Sequence, residues 1–214
     1  MLVRKLSLAV NLAIAVMVAA AWIGMMFALD RNQTLAARGL WSLKYFTVLS
    51  NLLAGAAAFV YAACLIRLLA GRAGAVPRWV ILVKSAGAAS VALPLATVVL
   101  FLGPTAKTGF LSMFQGANLW FHLVVPLLCV VDFCWLNPDG PLAASDGLVA
   151  CLPMALYAVG YTLNLALNGF VGKDGRVNDW YGFAFGGWGT AILAALITFG
   201  ATWGMAQLMR LARR

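Results

Sequence analysis

The side chains able to do chemistry in this sequence are few, and they fall mainly in two short stretches. Lys44-Tyr45-Phe46-Thr47-Val48-Leu49-Ser50-Asn51 opens one apolar segment. Its Thr47, Ser50 and Asn51 recur at i, i+3 and i+4, so they share one face of a helix. The single histidine, His122, lies early in another apolar segment, with Asn118 one turn before it. A threonine hydroxyl is a weak nucleophile until a base takes its proton, and neutral imidazole, with a pKa of about 6.5, suits that task. Such a pair would accept the acyl group of an ester on Thr47 Oγ and release it to water activated by His122. The oxyanion formed on the way needs donors, for which Asn51, Asn118 and Tyr161 are candidates. Ser50 and Asn164 complete the set of candidate substrate contacts. Each residue also has a plainer role. Thr and Ser in membrane helices bond back to a carbonyl one turn earlier, and Asn links neighbouring helices.

The elements that must position these groups follow from composition. Of 214 residues, 64% are hydrophobic and 10% charged, with a mean hydropathy of +0.95. A soluble domain is about half apolar and a quarter charged, so this chain is expected to be an integral membrane protein. Its length suits six spans of about 20 residues, the number needed to cross roughly 30 Å of hydrocarbon. The expected fold is therefore all-α, a single polytopic domain over 1–214. The spans are placed at about Leu6–Leu29, Leu43–Ala70, Trp79–Leu102, Gly116–Leu136, Gly147–Asn168 and Gly186–Leu208. The first is longer than a signal-peptide core and is read as a retained helix. Pro94, Pro126 and Pro153 suit helix kinks, and Gly186, Gly187 and Gly189 suit close packing.

Charge narrows the reading further. The net charge of +9 is spread over segment ends, which speaks for topology and anionic lipid and not for nucleic acid. Arg4, Lys5, Arg67, Arg72, Arg78, Lys84, Arg210, Arg213 and Arg214 fall on one side of a six-span arrangement. Arg31, Arg38, Lys44, Lys107, Lys173 and Arg176 fall on the other. The excess places both termini in the cytoplasm. With one His and no Glu the usual zinc sets cannot be assembled, so no metal and no other cofactor is expected. The four cysteines lie in apolar segments without a CxxC pair and read as buried thiols. Lys84 and Asp132 fall at similar depth and are expected to pair, because a lone charge in hydrocarbon is costly. Thr47 and His122 also fall at similar depth, near the outer ends of their spans, with Thr97, Tyr161 and Asn164 in the same half.

Trp41, the run Lys44-Tyr45-Phe46-Thr47, and His122-Leu123-Val124-Val125-Pro126 with Asp132 beyond resemble the androgen-induced membrane protein family and its six-helix bacterial relatives. The resemblance in length and span count covers the whole chain, and its sequence signal rests on those two motifs. It implies an intramembrane threonine hydrolase that cleaves fatty acid esters of hydroxy fatty acids, with Thr47 as nucleophile and His122 as base. It also implies a lipid ester as partner and the bacterial inner membrane as location. The family leads one to expect an aromatic-proline segment with an acid before the last helix, whereas Trp180–Phe185 holds neither. No G-x-S-x-G elbow is present, which argues against an ordinary lipase. A small-solute transporter and a non-catalytic lipid-binding protein are the competing readings. The first would be marked by internal repeats and mid-depth charge pairs, which the spans do not show.

Overall fold

The computed structural model describes residues 1–27, 38–172, 175 and 177–213, and its regular structure is helical apart from one isolated bridge between Val171 and Val177. Six helices are long and apolar enough to cross a membrane. They are α1 (Leu2–Met26), α2 (Phe46–Leu69), α3 (Arg78–Thr105), α4 (Ala117–Leu136), α5 (Asp146–Asn168) and α6 (Trp188–Ala212). The all-α, six-span architecture expected from composition is what the chain forms. The expected end of the first span at Leu29, the polar connection around Asn32-Gln33-Thr34, the turn at Lys173 and Asp174, and the charges Arg31, Arg176 and Arg214 lie outside the described residues.

The distribution of polarity is that of a lipid-facing bundle. Leu100, Phe101, Leu152, Leu156 and Leu196 are exposed on the outside, while Ser7, Asn11, Asn51, Lys84 and Asp132 are buried within. In water that arrangement would be costly, and in hydrocarbon it is the stable one, because polar groups must find partners inside the protein. Helix α3 is the central element and packs against α2, α4, α5 and α6. Its run Ser85-Ala86-Gly87-Ala88-Ala89-Ser90 presents small side chains, which let backbones approach. Neighbouring helices come close at Gly87, where a Cβ would lie 3.1 Å from Ala54 Cα, and at Gly55, where it would meet Val18 at 2.8 Å. Of the glycines expected to pack the last span, Gly186 lies close to a side chain of its own segment, where a Cβ would come 2.7 Å from Thr190. Gly189 faces open space, and Gly187, with φ +84°, turns the chain into α6.

Three π-helical turns interrupt α3 and α4, at Val98–Leu102, Trp120–Val124 and Asp132–Leu136. Each ends two residues before a proline, namely Pro104, Pro126 and Pro138. Proline has no N–H to give and its ring collides with the carbonyl four residues back, so a wider turn ahead of it relieves both faults. This explains the clearest departure from the expected spans. Gly103-Pro104 does not end the third helix, which continues through a π turn to Thr105.

The connection between α4 and α5 stitches one face of the bundle. Asp139 accepts from Arg4 Nη2 at 2.9 Å and from the Tyr61 hydroxyl at 2.8 Å, and its carbonyl accepts from Arg213 at 2.6 Å. Arg78 pairs with both oxygens of Asp146, at 2.8 and 2.9 Å. Both chain ends and this connection therefore sit at the same face. Just inside it, Lys84 and Asp132 form the expected ion pair. Asp132 also accepts from Ser7 Oγ at 2.6 Å and from Asn11 Nδ2 at 2.8 Å, two partners on α1 that the charge reading had not singled out. The Lys84 ammonium lies 3.4 Å from the centroid of the Tyr61 ring. The four cysteines are free thiols.

Because Lys84 and Asp132 are almost fully buried, removing one partner strands the other. Lys84→Met is expected to lower stability by about 3–5 kcal/mol. Lys84→Met combined with Asp132→Asn should recover part of that loss. Thermal unfolding of the four proteins of this cycle in detergent measures the coupling, and additive losses would show that the pair contributes nothing as a pair.

Candidate functional site

The site begins at the first turn of α2. A 3₁₀ turn at Gly39–Lys44 delivers the chain into α2, where Tyr45 adopts an extended backbone before Phe46 starts the helix. Thr47 is thus the second helical residue, in the turn whose backbone N–H groups have no partner within the helix. No side chain of its own segment caps this terminus. The cap comes instead from the segment before α6, where the Phe46 N–H donates to the Tyr181 hydroxyl at 2.9 Å. The Thr47 backbone also lies within hydrogen-bonding reach of that hydroxyl.

Asn51 joins this turn to α4. Its Nδ2 donates to the carbonyl of Thr47 at 2.7 Å and to the carbonyl of Phe121 at 3.0 Å. The second bond reaches the residue next to His122. The need for it is local, since the π turn Trp120–Val124 distorts the helix ladder around His122 two residues before Pro126. Such turns recur at functional sites because they re-aim side chains without ending the helix. Nδ1 of His122 is buried without a hydrogen-bond partner. The backbone of Met113 bonds the ring, by elimination at Nε2. A backbone carbonyl accepting from Nε2–H leaves Nδ1 as the unprotonated nitrogen, the one able to take a proton.

Thr47 and His122 line one cavity of about 100 Å³, together with Thr97 and Pro94 of α3, Tyr157 of α5, Tyr181 and Phe183 of the segment before α6, and Thr198 of α6. Nδ1 makes no hydrogen bond to Thr47 or to any other group. The hydroxyls of Thr97 and Thr198 donate to carbonyls of their own helices. Thr47 and His122 thus share a lining that is mainly apolar, with the Tyr157 and Tyr181 rings as further polar-tipped members. Apolar, water-poor walls strengthen any electrostatic contact made inside.

The other sequence candidates lie elsewhere, each for a stated reason. Asn51 is not a free donor, since both hydrogens of its amide are committed to backbone carbonyls. Ser50 Oγ donates to the Thr47 carbonyl at 3.1 Å and borders a different groove. Asn118 is buried with Oδ1 unpartnered and does not line the cavity. The Tyr161 hydroxyl is bound by Asp179. Asn164 points to the Asn178 carbonyl at 3.4 Å.

Asp179 supplies an acid immediately before the aromatic run. Its carboxylate accepts from Tyr161 and from the backbone N–H groups of Phe183 and Ala184, both at 2.9 Å. It therefore folds the Trp180–Phe185 segment over the cavity rather than orienting His122. Tyr157 adds a further tie, donating to the Lys44 carbonyl at 2.6 Å while Trp180 Nε1 donates to its hydroxyl at 3.0 Å. Tyr157 and Tyr181 are the residues that sequence reading passed over. The signal was an Asp followed by aromatics and Gly182, whose φ of +69° permits the tight turn. No protein-family model, curated protein or solved structure matches the chain.

Asn51 is fully buried at the joint between α2 and α4. Asn51→Leu is expected to cost about 1 kcal/mol of stability, the usual worth of a polar contact between membrane helices. It should also lower any activity of the site more than that loss of fold explains, because the Thr47 and His122 turns lose their common tether. Unfolding and turnover measured on the same preparation check this, and unchanged turnover would contradict it.

Proposed function

We propose that this protein is an intramembrane hydrolase of lipid esters, with Thr47 as nucleophile and His122 as base. The observation that supports it is the small cavity that Thr47 and His122 both line, in a structure where Nδ1 of the histidine has no hydrogen-bond partner. Nδ1 takes the Thr47 hydroxyl proton as Oγ attacks the ester carbonyl. The C–O bond to the alcohol then breaks, and the proton on the imidazole passes to the leaving alkoxide. Water enters and loses its proton to His122 as it attacks the acyl carbon; the acyl C–Oγ bond breaks, the acid leaves, and the imidazolium returns the proton to Thr47 Oγ. The resemblance of the two motifs to the androgen-induced membrane protein family is what points to fatty acid esters of hydroxy fatty acids as the substrate class.

Tyr181 is the donor proposed for the oxyanion: its ring borders the cavity, and its hydroxyl, which accepts from the Phe46 N–H and also bonds Tyr157, would turn its proton to the substrate. Burial raises its pKa above the usual phenol value. A raised pKa keeps the phenol protonated, and so able to donate, throughout the physiological range.

Turnover of a long-chain ester by purified protein in detergent provides the test. Thr47→Ala and His122→Ala should each abolish it, while Thr47→Ser keeps a fraction. Tyr181→Phe should lower kcat by about 10²–10³-fold, the cost of one oxyanion donor. Full activity of both alanine variants would overturn the assignment.

We also infer that the face carrying both termini is cytoplasmic, in a bacterial inner membrane. Arg4, Lys5, Arg72, Arg78, Arg210 and Arg213 cluster at that face, as expected for the retained side. Membrane-impermeant thiol labelling of single cysteines at Ala75 and Lys107 tests the orientation. The expected result in intact cells is labelling at 107 only, and the reverse pattern would invert it.

A further inference from the structure

Beside the Thr47 cavity runs a second and larger one, and its two ends differ in chemistry. It has a volume of about 410 Å³ and lies between α2 and α5. Phe46 and Tyr157 border both spaces, their ring centroids 5.2 Å apart, so these two side chains form the partition. From Phe46 the groove descends past Leu49 to Leu53, about 10 Å at 1.5 Å per residue. Its far wall is α5 from Tyr161 to Pro153. At the upper end stands Lys44. Its ammonium lies 5.1 Å from the Tyr45 ring centroid and 5.5 Å from that of Trp180, and it has no carboxylate partner among the described residues.

We propose that this groove binds a single-chain fatty acid, with its carboxylate on Lys44 and its chain along Leu49 and Leu53. Charge complementarity fixes the head. A cation held over aromatic faces, without a carboxylate partner among the described residues and at the level where a membrane helix begins, attracts an anion more strongly than it would in water. Volume and shape fix the tail. The space is at the small end of ligand pockets, which span about 300–1,000 Å³, and it is narrow, apolar and open to the lipid side. One chain fits such a space and two do not. Ester hydrolysis at the neighbouring cavity would release a carboxylic acid beside it, but the binding site stands without that reading.

Gly160 offers a clean way to close the groove. It borders the space, and a Cβ built on it meets nothing within 4 Å. Gly160→Leu therefore adds bulk at the groove wall with no clash at its Cβ and leaves Lys44 unchanged.

The test uses the full-length protein in phosphatidylcholine nanodiscs, with dibrominated stearate and its methyl ester as quenchers of tryptophan fluorescence. The part of the quenching lost in Trp180→Phe reports the groove. The acid should quench it saturably, and the methyl ester should bind about tenfold more weakly or worse, since a charge-assisted contact is worth about 1.5–3 kcal/mol. Lys44→Gln should erase the difference between acid and ester, and Lys44→Arg should keep it. Gly160→Leu should remove saturable quenching by both. The ligand is not an ester substrate, so inactivity as a hydrolase leaves the result standing. Equal binding of acid and methyl ester, saturable quenching that survives Gly160→Leu, or loss of acid binding when phosphatidylglycerol replaces part of the lipid would overturn the proposal.

Discussion

The amide of Asn51 is the contact on which the site depends. One nitrogen reaches two carbonyls, that of Thr47 in its own helix and that of Phe121 in α4. The two residues of interest come from helices that could slide past each other by a turn, since lipid offers no preference for one register of apolar surface over another. A fully buried amide with two committed hydrogens does have a preference. In hydrocarbon an unpaired N–H is costly, so the register that pairs both hydrogens of the Asn51 amide is favoured. The π turn at Trp120–Val124 makes this possible, because it loosens the ladder where Pro126 would otherwise crowd it.

A second network holds the opposite end of the bundle. Asp132 gathers Lys84, Ser7 and Asn11, while Asp139 gathers Arg4, Tyr61 and Arg213. These groups tie α1, α2, α3, α4 and the end of α6 at one face. The other face carries no comparable ion-pair network among the described residues, and Nδ1 of His122 and Oδ1 of Asn118 are buried there without partners.

What the sequence made legible follows from the same physics. Six spans could be read because crossing hydrocarbon demands length and apolarity, both visible residue by residue. Lys84 and Asp132 could be paired because an isolated charge at that depth has few other outcomes. The continuation of α3 beyond Gly103 was not legible in the same way. It depends on whether a π turn forms ahead of Pro104, and Gly-Pro more often ends a helix. The oxyanion candidates were misjudged because residue type shows what Asn51 can donate but not that its hydrogens are already taken. Tyr157 and Tyr181 were passed over because their roles come from Asp179 folding a connecting segment onto the bundle, a contact between elements that no local spacing encodes.

The central claim is that Thr47 Oγ is made nucleophilic by His122, and covalent capture tests it most directly. A long-chain alkyl fluorophosphonate loses fluoride when a nucleophilic oxygen attacks phosphorus, and the nucleophile's proton leaves by way of the base. Purified protein treated with this probe and mapped by peptide mass spectrometry should carry the adduct on Thr47, and His122→Ala should form none. Labelling at another residue with Thr47 unmodified, or equal labelling of Thr47 in His122→Ala, would contradict the account.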